Sequence, residues 1–208
     1  MARTNVPVED VRAASARAGR RLQILDAAKQ VFADAGYHGA SINAIIEGAE
    51  IARGTFYLYF ESKEAVFGAL LDGAMTELRS RIVRIDTGPG ARSPKDQLED
   101  SLGSLLQFFV ADRPLAAVLL SSASTPDAEA AARLAAFYAE ARSVIALSLE
   151  TGMALGLVRR CHPERTAAAL LGLVRGIVEH CVTRGADQPI QDVTRELIDL
   201  ALVGVLVR

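Results

Sequence analysis

The feature that most constrains the fold is the segment from residue 41 to residue 63, SINAIIEGAEIARGTFYLYFESK. Ser41 has the residue type preferred at a helix N-cap, and apolar residues follow it at helical spacing, namely Ile42, Ile45, Ile46 and Ala49. A break at Glu50 separates this segment from a second compact one that ends in the aromatic run Tyr57–Phe60. Two short helices joined by a tight turn form the helix-turn-helix pattern.

The second helix of such a pair enters the DNA major groove. Its residues here offer a guanidinium, a hydroxyl, two phenols and a position with no side chain: Arg53, Thr55, Tyr57, Tyr59 and Gly54. These groups suit phosphates and base edges better than they suit a buried core.

The run from Gly54 to Glu64, GTFYLYFESKE, resembles the recognition helix and following helix start of the TetR family of transcriptional regulators. The resemblance continues upstream through Phe32, Gly36, Tyr37 and Ser41, and its specific part covers about Arg20 to Leu71. Two positions depart from the family pattern: Glu50 replaces a usual turn glycine, and Ile46 replaces a usual alanine. At positive φ, Glu50 would carry strain of ~1 kcal/mol.

The rest of the chain predicts helices and no strand, so we expect an all-α fold of about nine helices. A first helix from Arg20 to about Ala35 ends at Gly36, and a long fourth helix capped by Ser62 fades towards residues 88–90. Further helices are expected to start at Pro94 and Pro114, to run over 127–152 and 163–183, and to end the chain. The predicted organisation is a flexible basic arm (1–18), a helix-turn-helix DNA-binding domain (19–62) and a ligand-binding and dimerisation domain (63–208).

Charge is unevenly distributed along the 208 residues. The net charge is −2, but the first 30 residues hold six basic and three acidic residues, giving +3 and leaving −5 for the remainder. This favours a basic edge that meets DNA on an otherwise acidic body. The residues from Arg3 to Arg17 fit either a solvated tail or an arm that orders in the minor groove.

Composition predicts a cytoplasmic protein without cofactor or metal. No apolar run reaches the roughly 18 residues that a membrane span needs, and the N-terminus has no secretory pattern. Cys161 and Cys181 each neighbour a histidine, but His162 and His180 would lie about 27 Å apart on one helix at 1.5 Å per residue. One zinc ion cannot bridge that distance, so reduced thiols are expected.

The last two helices predict a homodimer through residues 163–183 and 192–207. The first carries a line of small residues at a spacing of four, Ala168, Gly172 and Gly176, which allows close helix approach. The second reads LIDLALVGVLV, apolar nearly all round, and therefore needs burial on several sides. Pairing with a second copy satisfies both, and the resemblance implies the same dimer; a monomer with a buried last helix is the alternative.

A two-fold dimer predicts a palindromic operator in double-stranded DNA. Arg53 is the candidate for base recognition, Gly54 permits close approach, and Thr55, Tyr57 and Tyr59 would contact phosphates or thymine methyls. Ser41 and Lys63 begin helices, where phosphate binding is favoured. Ser41 could equally be only a cap, Tyr57 could staple the domain, and Phe56 and Phe60 are expected in the core.

The resemblance also implies a small-molecule effector held in an apolar cavity among helices five to eight. Candidate wall residues are Phe108, Phe109, Leu119, Phe137, Tyr138 and Val174, with Arg142, Arg175 and His180 as polar contacts. Arg175 lies in an apolar stretch and would either pair with an acid at the dimer seam, such as Glu179, or meet an anionic ligand.

The preferred hypothesis is a homodimeric transcriptional repressor, and activation remains open. A DNA organiser with the same helix-turn-helix and no effector response is the first alternative. An enzyme is disfavoured because His38, His162 and His180 are far apart and no catalytic constellation has a recognisable context.

Overall fold

A computed structural model describes residues 8–82, 85–121, 128–184 and 189–205. Over these ranges it forms nine helices and no strand, which confirms the all-α prediction. The helices are α1 (Val8–Gly39), α2 (Ile42–Gly48), α3 (Arg53–Tyr57), α4 (Lys63–Arg81), α5 (Pro94–Ala111), α6 (Arg113–Leu120), α7 (Ala128–Ala154), α8 (Pro163–Arg184) and α9 (Ile190–Val205). We call α1–α3 the head and α5–α9 the body; α4 connects them.

The head folds around the C-terminal half of α1. Ile24 and Ala28 on α1, Ile45 on α2 and Phe56 on α3 are all fully buried. Gly36 has φ 67°, which breaks α1 so that the chain turns towards α2. The predicted end of the first helix at this glycine is therefore confirmed.

Aromatic contacts join the head to α4. Phe32 and Phe67 meet edge to face with ring centroids 5.5 Å apart, and Tyr37 meets Phe67 at 4.8 Å. The stripe predicted for α4 is buried, as expected: Val66, Leu70, Leu71, Ala74 and Leu78. The start of α4 is thus fixed to the head while its length packs on the body.

The body packs α7 against α8 and α5 against α9. The axes of α5 and α6 meet at 97°, with Asp112 forming the N-cap of α6. Helix α6 also packs against α1, which brings the body directly onto the head. Two routes therefore connect head and body, one through α4 and one through the α1–α6 contact.

Two helix bounds differ from the predictions. Helix α1 begins at Val8, well before Arg20, because its alanine-rich first turns have high helix propensity although they carry no apolar stripe. Helix α4 ends at Arg81, where Ile82 adopts extended backbone, and does not continue towards residue 88. The first residue of the helix predicted over 127–152 and the last two of the dimer segment predicted over 192–207 are outside the described residues.

Helix α8 leaves much of its apolar surface uncovered within the chain. It is the one helix of the described ranges that alone is long and apolar enough to cross a membrane, and 17% of its apolar window is buried. Its predicted small-residue line, Ala168, Gly172 and Gly176, is exposed. Leu200 of α9 is also 64% exposed. The described part of α9 therefore buries one face, including Leu197 and Ile198, and exposes another.

Candidate nucleic-acid interface

The turn between α2 and α3 has the geometry that the sequence predicted. The hydroxyl of Ser41 accepts a hydrogen bond from the Ala44 N–H at 3.1 Å, so Ser41 caps α2. Glu50 has φ 50°, the left-handed conformation that its place in the turn requires. Gln23 of α1 donates to the Ala49 carbonyl at 2.6 Å and holds this turn against α1.

Burial on α3 separates structural residues from candidate DNA contacts. Phe56 is 0% and Phe60 is 5% exposed, so both lie in the core, as predicted. Tyr57 is 45% exposed while its ring meets Phe56 edge to face at 5.3 Å. Tyr57 therefore contributes both to the head core and to the exposed surface.

Arg53 lies exposed at the start of α3. Its Nη1 is 3.4 Å from the side-chain oxygen of Asn43, and its guanidinium is 5.9 Å from the Tyr57 ring centroid. These contacts aim the guanidinium along the exposed face of α3. Asn43 was not singled out from the sequence, because one asparagine on a helix surface carries no distinctive pattern.

Gly54 also lies on the exposed face of α3. A Cβ added there would meet no atom of the protein within 4 Å, and the residue has no positive φ. Neither packing nor backbone conformation therefore requires glycine at this position. Close approach of another molecule's surface does give a reason for it.

Lys63 has partners inside the protein. Its ammonium donates to the carbonyls of Tyr37 and Ala40 at 2.8 and 3.1 Å and lies 4.4 Å from the Tyr37 ring centroid. It thereby stabilises the chain between α1 and α2. A phosphate contact from Lys63 stays a prediction, as do the contacts expected from half-buried Thr55 and Tyr59.

A groove of about 350 Å³ lies beside the end of α3, lined by Arg17, Ala18, Arg21, Leu58 and Tyr59. Leu58 is 72% exposed, and the Arg21 guanidinium is 5.1 Å from the Phe60 ring centroid. Arg17 belongs to the segment 1–18 that was predicted to be a flexible arm. Its alignment with the end of α3 follows from helix α1 starting early, which periodicity did not predict.

The candidate effector residues cluster in the body. Phe109, Leu119 and Phe137 are buried, and Phe108, Tyr138, Arg142 and Val174 are half-buried. Exposed His180, on α8, stands apart from this buried set.

Arg175 and Tyr138 place polar groups among these apolar side chains. Arg175 donates to the Leu120 carbonyl at 3.0 Å and lies 5.2 Å from the Tyr138 ring centroid, while the Tyr138 hydroxyl donates to the Leu119 carbonyl at 2.7 Å. Burial raises the pKa of Tyr138, and the charge of Arg175 partly opposes that shift. The guanidinium of Arg175 therefore reaches inward to the C-terminal end of α6.

The histidine–cysteine pairs form no metal centre within the described ranges. No three His, Cys, Asp or Glu side chains lie together there. Cys161 is half-buried and Cys181 buried, both as free thiols, and burial raises the pKa of Cys181.

Two short helices joined by a tight turn, with an arginine and a glycine exposed on the second, have the arrangement of a helix-turn-helix DNA-binding protein. Residues 24–70 match the family model described as bacterial regulatory proteins, tetR family, and residues 91–205 match the tetracyclin repressor-like C-terminal domain. The chain therefore belongs to the TetR family. It is a transcriptional regulator and not an enzyme.

Individual relatives agree with this assignment over most of the chain. The regulator YdgC of Bacillus subtilis, described as uncharacterized, is 25% identical over 193 residues, covering 89% of this chain and 92% of its own. The transcriptional repressor KstR of Rhodococcus jostii is 30% identical over 126 residues, covering 61% and 58%. FadR from Bacillus subtilis, solved in complex with stearoyl-CoA, has the same fold with a TM-score of 0.74 and 20% identity, covering 88% and 98%.

Proposed function

We propose that this chain is a cytoplasmic, homodimeric repressor that binds a palindromic operator and is released by a small, largely apolar effector. The observation that carries the DNA-binding part is the exposed face of α3, where Arg53 is oriented by Asn43 beside Gly54. A guanidinium held in this way can donate to guanine O6 and N7 in the major groove. Repression is favoured because the partly matching relative KstR is a repressor.

Selection of the full-length protein against random duplex DNA tests this proposal, with Arg53→Ala examined in parallel. We expect the wild type to enrich an inverted repeat, and Arg53→Ala to lose ~1–3 kcal/mol on it and to tolerate other bases at one position. An equal loss on every sequence would show that Arg53 contacts only phosphate. Salt-sensitive binding without an enriched sequence would favour the DNA organiser.

The uncovered surface of α8 and α9 supports the dimer through residues 163–183 and 192–207. Gly172 and Gly176 are exposed, and a Cβ at either would meet no atom of the same chain within 4 Å. A second α8 could therefore pack closely against this face and cover apolar area. In sedimentation velocity, Gly172→Glu should shift the protein to monomer, whereas Ala135→Glu, at an exposed position of α7, should not. A dimeric Gly172→Glu variant would contradict this interface.

The apolar candidates of the body suit an apolar effector by their chemistry, and Arg175 supplies a cation beside Tyr138. Because FadR is solved with stearoyl-CoA, a series of fatty acyl-CoA thioesters and free fatty acids is a suitable probe set. We expect one of these to weaken operator binding by the wild type. Arg175→Met, checked for folding by circular dichroism, should lose that response; an unaltered response would remove Arg175 from the effector site.

A further inference from the structure

A groove lies between the N-terminal part of α1 and the end of α3, beside the helix-turn-helix formed by α2 and α3. Arg17 and Arg21 line it from α1, and Leu58 and Tyr59 line it from the end of α3. Both arginines are exposed, and the five lining residues include no carboxylate. The groove is therefore a cationic surface continuous with the helix proposed to contact DNA.

The arrangement of the two arginines is unfavourable without an anionic partner. Arg17 and Arg21 are four residues apart on one helix, and like charges at that spacing repel each other. From residue 11 to residue 25 the sequence has four arginines and no acidic residue that could offset them along the helix. The contact with the Phe60 ring holds the Arg21 guanidinium in place but does not neutralise its charge.

We infer that this groove holds the DNA sugar–phosphate backbone outside the bases read by α3, with Arg17 and Arg21 as phosphate contacts. Tyr59 has a hydroxyl that can donate to a phosphate, and exposed Leu58 can pack against a deoxyribose. The inference rests on the proposed DNA-binding function and extends it. It makes the N-terminal part of α1 a second DNA-binding element that positions the head without recognising bases.

The inference predicts a specific salt dependence. A plot of log affinity against log salt concentration has a negative slope, and each phosphate contact makes that slope steeper by about 0.9. If affinities converge near 1 M salt, losing one such contact weakens binding about fivefold near 0.15 M salt. Because neither arginine touches a base, the ratio of operator to scrambled-sequence affinity should stay the same.

The test uses full-length protein and fluorescence anisotropy over a salt series, on the selected operator with and without several flanking base pairs. Arg17→Ala and the double variant Arg17→Ala/Arg21→Ala should weaken binding and flatten the salt slope only on the longer duplex. Arg17→Lys/Arg21→Lys should restore the slope, because lysine keeps the charge. Arg113→Ala removes an equivalent exposed charge from the body and should change neither quantity.

The outcomes separate this inference from the proposed function. If the wild type binds its operator and Arg53→Ala loses specificity, but Arg17→Ala/Arg21→Ala keeps the full salt slope, the groove inference is overturned and the function stands. A loss of the same size on the trimmed duplex would also overturn it. Absence of any DNA binding by the wild type would overturn both.

Discussion

At Gly54, the requirements of folding and of DNA recognition lead to opposite expectations. A methyl group there meets no protein atom, so Gly54→Ala should raise the free energy of unfolding by up to about 1 kcal/mol through helix propensity. The same methyl group should hold α3 away from DNA and weaken operator binding at least about tenfold, or 1.4 kcal/mol. Urea unfolding and anisotropy measure the two effects.

Gly73→Ala is the matched control for that variant. Gly73 is an exposed glycine of α4 at which an added Cβ also meets nothing within 4 Å. The Gly73→Ala variant should gain similar stability and keep full operator affinity. Unchanged DNA binding by Gly54→Ala would mean that α3 does not approach DNA at this residue.

Other single residues were predictable from the sequence where chemistry and backbone require one residue type. Ser41 and Ser62 cap their helices as predicted, and Glu50 has the positive φ that a turn glycine would usually supply. Asn43 was missed because its contact with Arg53 joins two helices and appears only once α2 and α3 are packed.

The N-terminus of α4 contains a network that should respond to acid. The pKa of Glu64 lies below its usual 4.5, because its own backbone N–H and the Ser62 hydroxyl donate to the carboxylate; Tyr37 and Lys63 add to this and burial opposes it. A lowered folded-state pKa stabilises the fold above the unfolded pKa, and the benefit is lost as pH falls through the folded value.

Glu64→Gln should therefore have a lower unfolding temperature than the wild type at pH 7. The difference between the two unfolding temperatures should shrink as pH falls below about 4.5. Thermal unfolding across that pH range measures it. Glu61→Gln, which removes an exposed carboxylate nearby, is the control variant. Equal pH profiles for wild type and Glu64→Gln would contradict the role given to this carboxylate.

Among whole elements, the helical segments with an apolar stripe were predictable, and the first turns of α1, which have none, were not. Helices α5 and α6 begin near Pro94 and Pro114 as expected, because proline and an apolar stripe mark both the start and the buried face. The first turns of α1 have no stripe, so periodicity alone did not show that they are helical. Consequently the groove beside α3 could not be foreseen.

At the scale of the whole molecule, two ion pairs of different burial hold the body, one to the head and one to the connecting helix α4. Lys29 of α1 contacts Asp112, the N-cap of α6, at 2.6 Å, with the two side chains 19% and 24% exposed. Arg79 of α4 contacts Glu140 of α7 at 2.6 Å, with 58% and 43% exposed. Exposed pairs contribute little to stability, so the α1–α6 pair should dominate.

Burial lowers the pKa of Lys29, but hydrogen bonds and charges from Asp112 and Asp26 outweigh it and hold the net pKa above 10.5. The stability that this lysine contributes is therefore complete at neutral pH and is lost only as pH rises through that raised value. The raised pKa therefore keeps Lys29 charged at neutral pH.

Lys29→Met should lower the free energy of unfolding by about 1.5–3 kcal/mol, the range for hydrogen bonds to charged groups, whereas Arg79→Met should lower it by less than about 1 kcal/mol. Asp112→Asn keeps an N-cap residue for α6, so a double-mutant cycle of Lys29→Met, Asp112→Asn and the double variant measures the interaction energy of the pair.

Because α6 borders the proposed effector site, Lys29→Met should also reduce the effect of effector on operator affinity. If effector still weakened operator binding fully in Lys29→Met but no longer did so in Arg79→Met, the effector signal would instead pass from body to head through α4.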